Sequence, residues 1–343
     1  MRVLILGAGG MLGHKVWQIF RDRFDCRAAM RTRLPLPLFD DERVIDGFDA
    51  GDFDGVARLV AQVRPEVVVN CIGVVKQLAA SLDPVVSITL NALFPHVVAR
   101  ACGEVGARMI HISTDCVFAG KRRSDSLVRS LVTTPRHCDS ERDPGQSPSD
   151  EGYSQEVGLE SPTYVRPTYV RYREDDVPDA ADLYGRSKLL GEVTEAQTGV
   201  SVPHLTIRTS IIGRELRTAN GLVEWFLSNR GGSVRGFTRA VFSGVTTSTL
   251  AQTLGDVIEH HPDLNGLYHV AGEAITKYDL LVMLNEAFDA GVAITPDDSV
   301  VIDRTLDATR FRSATELVPP AWPEMIAALA AESPQYERWR KTE

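Results

Sequence analysis

Tyr184 and Lys188 stand four residues apart in Asp182-Leu183-Tyr184-Gly185-Arg186-Ser187-Lys188-Leu189-Leu190-Gly191-Glu192. The two leucines and the Ala/Glu/Thr mix that follows predict a helix, on which that spacing puts both side chains on one face, one turn apart. A free phenol has a pKa of about 10 and exchanges protons poorly near neutrality. An ammonium one turn away favours the phenolate and is expected to draw that pKa down toward the working range. The pair is thus a candidate acid–base couple. Standing alone, Tyr-x-x-x-Lys describes an ordinary helix with one exposed Tyr and one exposed Lys equally well. The elements around it must decide.

The first of these elements is the N-terminus. Met1 to Gly13 runs as a short apolar stretch, breaks at Gly7, and passes into an amphipathic pattern through Val16, Ile19 and Phe20. A buried strand, a glycine turn and a helix are the setting of a dinucleotide fingerprint. Gly7 would allow the tight turn, Gly10 the approach of a pyrophosphate, and Gly13 close packing of helix on strand. The backbone through Gly10, Met11, Leu12 and Gly13 would then meet the phosphates at the positive end of the helix. A glycine turn in any βα unit is the plainer alternative. The next strand, Cys26 to Met30, is followed by Arg31 and Arg33, where an NAD site carries an acid for the ribose. A guanidinium suits a 2′-phosphate, which favours NADPH over NADH; two ordinary surface arginines are the alternative.

The chain then alternates strand and helix. A short strand near Val44 leads to Asp49, a candidate contact for the adenine amino group. A helix at Val56–Val63 precedes a buried strand at Glu66–Cys71. Cys71, Ile72 and Gly73 leave that strand at its carboxyl end, where open α/β sheets bind ligands. A helix over Pro84–Val105 carries Asn91 among apolar neighbours, as a brace or as a solvated residue. The strand Ala107–Ser113 ends in Thr114, Asp115 and Cys116, candidates for substrate oxygens or merely for capping the turn. Residues 121–171 break the alternation and contain a tandem repeat, Pro162–Arg166 and Pro167–Arg171. A structureless connection longer than about 15 residues is a lid or disorder, and this composition favours disorder or a loose flap.

Beyond Tyr184 a strand is expected at His204–Thr209 and helices at Leu222–Ser228, Leu250–His260, Tyr278–Phe288 (capped by Thr276) and Ala321–Ala331. A further strand is expected at Gly266–Val270. Arg235, with Arg230 and Arg239 among glycines, is a candidate for a ligand's diphosphate or else solvated loop. The fold class is α/β, a doubly wound parallel sheet of the Rossmann type with a smaller mixed C-terminal lobe. Residues 1–212, with 242–272 returning, would form the dinucleotide domain. Residues 213–241 and 273–343 would form the substrate lobe.

At 343 residues and 43% hydrophobic, the chain can bury a substantial core. A formal net charge of −9 argues against a nucleic-acid or anionic-membrane binder. No apolar run reaches the roughly 20 residues of a membrane span. Five scattered cysteines without a Cys-x-x-Cys pair fit reduced thiols in the cytoplasm, and the eight histidines show no metal-ligand spacing.

With these segments in order, the chain resembles the extended short-chain dehydrogenase/reductases and, within them, the dTDP-4-dehydrorhamnose reductase family. The segments that carry the resemblance are Gly7–Gly13, Asn70–Gly73, Ser113–Gly120, Tyr172–Glu192, Arg208–Ser210 and Gly266–His269. It implies Thr114, Tyr184 and Lys188 as the catalytic set, with Tyr184 as proton donor. It also implies a nicotinamide cofactor held by the glycine loop and Lys188, and reduction at C4 of a nucleotide-linked 4-keto-6-deoxy sugar in deoxysugar and surface-polysaccharide biosynthesis. A homodimer is compatible with it. Three positions depart from the family: Cys116 replaces an aromatic residue, Ile211 a tryptophan, and Lys15 an acid that in some relatives helps bind a metal between subunits. Cys116 also stands where 4,6-dehydratases carry a working Glu. The resemblance leaves two other readings open, an NAD-dependent sugar-nucleotide epimerase and a non-catalytic regulatory subunit like that of methionine adenosyltransferase.

Overall fold

The computed structural model describes residues 1–76, 79–121, 171–193 and 203–340, and these belong to one compact unit. The stretch 121–171, expected to be disordered or a flap, lies outside the described residues except for its two ends.

Seven strands form one parallel sheet. In chain order they are β1 (Arg2–Leu6), β2 (Asp25–Ala29), β3 (Val44–Ile45), β4 (Val67–Asn70), β5 (Arg108–Ile112), β6 (His204–Arg208) and, after four strands that lie outside this sheet, β11 (Gly266–His269). Their order across the sheet is β11-β6-β5-β4-β1-β2-β3, with every neighbouring pair parallel. The chain runs outward one way from β1 through β3 and the other way from β4 through β11. The crevice between the carboxyl ends of β1 and β4 is therefore the switch point at which such sheets bind ligands.

Both faces of the sheet are covered, which is why β1 and β4 read as unbroken apolar runs. Val3 and Ile5 of β1 join one core cluster while Leu4 and Leu6 join the other. On the first face lie α1 (Gly13–Phe20), through Val16, Trp17 and Phe20, and α6 (Thr247–His260), through Leu250, Leu254 and Val257. On the second lie α2 (Phe53–Val63), capped by Asp52 on Gly55 N (2.9 Å), and α3 (Pro84–Val105), capped by Asp83 on Val85 N (2.8 Å). Each cap supplies an acceptor to an N–H that the helix itself leaves without one.

Contrary to the expectation that no apolar run reaches membrane-span length, α3 does so by length and composition, its 22 residues containing an 18-residue window with a mean hydropathy of 1.4. Half of it is buried here, and Phe94, Val98 and Cys102 pack in the core beside α2. Its middle, Ile88–Leu93, widens into a π-helical segment that contains Asn91.

The remaining elements build three small sheets. β7 (Ile211–Ile212) pairs with β10 (Val245–Thr246), β8 (Ser233–Phe237) with β13 (Ala293–Asp297), and β9 (Ala240–Phe242) lies between β12 (Ile275–Thr276) and β14 (Ile302–Arg304). The remaining helices of the second half of the chain are α5 (Leu222–Leu227), α7 (Lys277–Ala287), α8 (Thr309–Thr315), α9 (Trp322–Ala331) and α10 (Ser333–Arg340). The Tyr184 helix, α4 (Leu183–Leu190), precedes them all. Helix α10 was not evident in the sequence. It returns to α1, where Tyr336 meets His14 Nε2 at 2.5 Å, next to an ion pair of Lys15 with Glu332 at 2.9 Å. Lys15 is thus a buried structural cation. We propose that the seven-stranded layer, with the β7–β10 pair, is the cofactor lobe expected from the sequence, and that the other two small sheets belong to the substrate lobe.

Candidate active site

The glycine turn after β1 is shaped by close contacts. Gly7 adopts φ +87°, a region that disfavours side chains, and a Cβ there would lie 2.7 Å from the Ile72 side chain. A Cβ on Gly13 would stand 2.0 Å from the Gly7 carbonyl oxygen, so only glycine lets α1 start this close to the strand. A Cβ on Gly9 would meet nothing within 4 Å, and one on Gly10 only the Gly7 carbonyl oxygen at 3.4 Å. The side of the turn facing the crevice is therefore bare backbone at a helix start, where N–H groups lack partners within the helix. Across the switch point, Asn70 accepts from Ile72 N (3.0 Å) and donates toward His111 Nδ1 (3.1 Å), which fixes the course of Cys71–Gly73.

Asp182 caps α4 by accepting from Gly185 N at 2.8 Å and pairs with Lys76 at 2.6 Å. That start puts Tyr184 in the first turn and Lys188 in the second. Gly185 lets the helix press against the Thr114 loop, since a Cβ there would be 2.2 Å from the Cys116 carbonyl oxygen. Gly191 does the same toward α3, 1.9 Å from the Asn91 carbonyl oxygen. Asn91 is a brace. Its Oδ1 accepts from Val74 N (2.8 Å), and its Nδ2 donates to Val74 O (3.1 Å) and Ser187 Oγ (3.2 Å), joining the β4 loop to α4.

The ionisation of the pair differs from expectation. Burial pushes the Tyr184 phenol above its usual value; Cys116, Asp115 and Asp182 push the same way, and only a hydrogen bond with Thr114 opposes them. Lys188 is not among the groups that shift it; its Nζ donates to the Ile112 carbonyl at 2.6 Å. Burial pulls Lys188 itself down to about 8, against Glu192 and Cys71, which favour the charged form. Tyr184 is therefore protonated at neutral pH, and Lys188 is poised near the working range. Thr114 caps the turn that follows β5 by accepting from Cys116 N (3.1 Å). Burial also raises Asp115 and lifts the Cys116 thiol to about 12, so that thiol is no nucleophile.

All of this opens on a single cavity of about 690 Å³, within the usual range for a small-molecule site. Gly10, Met11, Leu12, Cys71, Ile72, Gly73, Thr114, Asp115, Cys116, Tyr184 and Lys188 line it together. Gly7 and Gly13 stand behind its wall as the turn's frame. Arg31 and Asp49 are exposed and outside the lining; Asp49 accepts from Gly51 N (2.9 Å), and Arg31 has no ion-pair partner among the described residues. Arg33 turns inward onto the carbonyls of Phe39, Asp41 and Val44 and is a loop brace. Arg235 is a correction: it is exposed, pairs with Asp297 at 3.0 Å, and does not reach the cavity.

The positive charge expected of Arg235 comes instead from Lys277 and Arg304, which line the cavity. Arg304 donates to the Phe118 carbonyl (2.9 Å) and toward Cys116 Sγ (3.4 Å). The Lys277 ammonium lies 3.7 Å from the centre of the Phe242 ring, and burial lowers its pKa. Neither cation sits in a recognised motif. One signal was present: Lys277 occupies the first turn of α7, where the helix dipole opposes a cation. Such a local conflict marks functional positions.

A family model described as the RmlD substrate binding domain matches residues 1–136. dTDP-4-dehydrorhamnose reductase of Escherichia coli (strain K12) is 25% identical over 94% of this chain and 94% of its own length. Methionine adenosyltransferase 2 subunit beta of Bos taurus is 23% identical over 84% of this chain and 72% of its own. Among solved structures, dTDP-4-dehydrorhamnose reductase from Bacillus anthracis str. Ames in complex with NADP superposes with a TM-score of 0.70. It is 19% identical, with 97% of this chain and 99% of that one covered. The N-terminal match, the full-length likeness and the seven-stranded fold agree: the chain carries the RmlD substrate binding domain pattern over its first 136 residues, is similar along its length to dTDP-4-dehydrorhamnose reductases, and shares their fold.

Proposed function

We propose that the chain is an NADPH-dependent reductase of the C4 ketone of a nucleotide-diphospho-4-keto-6-deoxy sugar. The observation that carries this reading is the shared cavity, in which a bare glycine turn, the β4 and β5 loop ends and the Tyr184–Lys188 helix face one another. A nicotinamide dinucleotide suits that wall, with backbone N–H groups at Gly10–Leu12 for its pyrophosphate and Lys188 for its ribose; Arg31, exposed outside the lining, would serve a 2′-phosphate. When bound in its reduced form, the cofactor supplies the hydride.

The protein's own part is position and protons. Tyr184, protonated at neutral pH, gives its phenolic proton to the oxygen that becomes the new hydroxyl. Thr114 orients that oxygen from the neighbouring turn, and Lys188 supplies positive charge beneath it. Lys277 and Arg304 hold the anionic part of the substrate, and both favour the charged form of the buried Asp115, whose pKa burial raises. The apolar face of Phe242 and Ile302 excludes water beside them.

The test is NADPH oxidation over a panel of thymidine- and uridine-linked 4-keto sugars. Oxidation with at least one of them, and slower oxidation of NADH, is the expected result. Firmly bound NAD with no net NADPH consumption would point to an epimerase instead. A second reading rests on the likeness to methionine adenosyltransferase 2 subunit beta. In that case the isolated chain would be inactive on the whole panel and would form a stable complex with a different protein.

A further inference from the structure

Behind Lys188, away from the cavity, a buried carboxylate joins three elements. Glu192 lies one turn beyond Lys188, just past the end of α4. Arg208, at the end of β6, donates to it twice, Nε to Oε1 at 2.8 Å and Nη2 to Oε2 at 2.7 Å. Ser113 Oγ donates to Oε1 at 2.7 Å. Both charged side chains are almost fully buried, at 3% and 8% exposure. Ser113 directly follows Ile112, whose carbonyl accepts the Lys188 ammonium. The carboxylate thus ties down both the lysine's helix and the strand end that accepts the lysine's hydrogen bond. The Arg208 guanidinium is itself fixed over the Phe118 ring, 5.3 Å from its centre.

A buried ion pair is often no more stabilising than apolar side chains of the same volume. Stability alone is therefore a weak reason for this one, set one turn from a lysine that faces the site. We infer that Glu192 is a positioning residue for Lys188: its carboxylate, fixed by Arg208 and Ser113, keeps the lysine charged and aligned on the Ile112 carbonyl. The groups that face Lys188 are few. From its own chain segment there is Glu192; from the end of β4, Cys71; and from β5, His111, which burial above all, and Lys188 after it, keep neutral. Cys71, lifted to about 12, is uncharged near neutrality, so Glu192 is the one anion opposing the burial of the ammonium among these groups. In the cofactor-free protein the carboxylate favours the charged lysine against its burial before any ligand arrives.

This inference rests on the reductase reading only for its use, and the two can fail separately. The chain has six lysines, so the full-length protein labelled with 13C-lysine gives a resolvable set of side-chain signals, and Lys188→Met identifies the one from Lys188. Without cofactor, the wild-type signal is expected to titrate near pH 8. Glu192→Gln strands Arg208 without its carboxylate and can unfold the protein for that reason. The paired variant Glu192→Gln with Arg208→Met removes both charges and keeps an apolar stem over Phe118. In the folded pair variant the Lys188 midpoint is expected to fall by about one pH unit or more, whereas Glu192→Asp is expected to stay near wild type. A folded pair variant whose Lys188 titrates at the wild-type pH overturns the inference. A midpoint that falls while kcat/KM at pH 8 does not drop roughly fivefold upholds the positioning and overturns the reductase role of Lys188.

Discussion

The Tyr184 phenol keeps its proton at neutral pH because burial beside Cys116 and Asp115 disfavours its charged form. That is the form a donor needs when a ketone becomes an alcohol. Tyr184→Phe is expected to lower kcat by about 10²–10⁴-fold and to leave the NADPH dissociation constant within about twofold of wild type, by fluorescence titration. Lys188 works in the opposite sense. Its folded pKa of about 8 lies below the ordinary 10.5, so kcat/KM is expected to decline above about pH 8 as the ammonium is lost. Between about 8 and 10.5 the unfolded chain holds a proton that the native lysine has released, so this group adds stability as pH rises through that window. A flat kcat/KM from pH 7 to 9.5 would contradict the role. Tyr184 and Lys188 were legible from spacing and family likeness. Lys277 and Arg304 were not, since they reach the cavity from the start of α7 and the end of β14, elements far apart in the chain that share no spacing.

At the scale of elements, the site depends on how closely α4 approaches its neighbours. Gly185 and Gly191 stand in place of side chains against the Cys116 and Asn91 carbonyls, and both obstacles are backbone that cannot swing aside. Gly191→Ala is expected to cost about 1–3 kcal/mol, as overpacking does, seen as a lower urea midpoint. Gly185→Ala should add to a similar cost a fall in kcat, because it parts Tyr184 from Thr114. A variant as stable and active as wild type would show that α4 has room to move. The strands of the main sheet were readable, since strands buried on both faces leave unbroken apolar runs such as Val67–Val69. The π-helical turn at Asn91 was not. It leaves the apolar pattern of α3 intact and shows itself only through the side-chain bonds to Val74 and Ser187.

Across the whole molecule, the C-terminal helix closes onto the first through His14 and Tyr336, a pairing of residues 322 positions apart that local pattern does not reveal. Burial holds His14 at about 3 and His269 at about 4, with His111 well below its usual value. As pH falls below 6.5 the unfolded imidazoles take up protons that the native ones refuse, so stability falls from about pH 6.5 downward toward 4 and 3. At pH 5 the loss is about 2 kcal/mol for each such imidazole. The urea midpoint is expected to drop markedly between pH 7 and pH 5, and an equal or higher midpoint at pH 5 would contradict the buried neutral state. The reductase assignment is met most directly by isotope transfer. The chain is incubated with a nucleotide 4-keto-6-deoxy sugar and NADPH bearing deuterium at both C4 positions of the nicotinamide, and the sugar is analysed by mass spectrometry. The account predicts one deuterium at C4 of a reduced sugar, and no labelled product from Tyr184→Phe. A sugar recovered without label, or labelled as well by the phenylalanine variant, would contradict it.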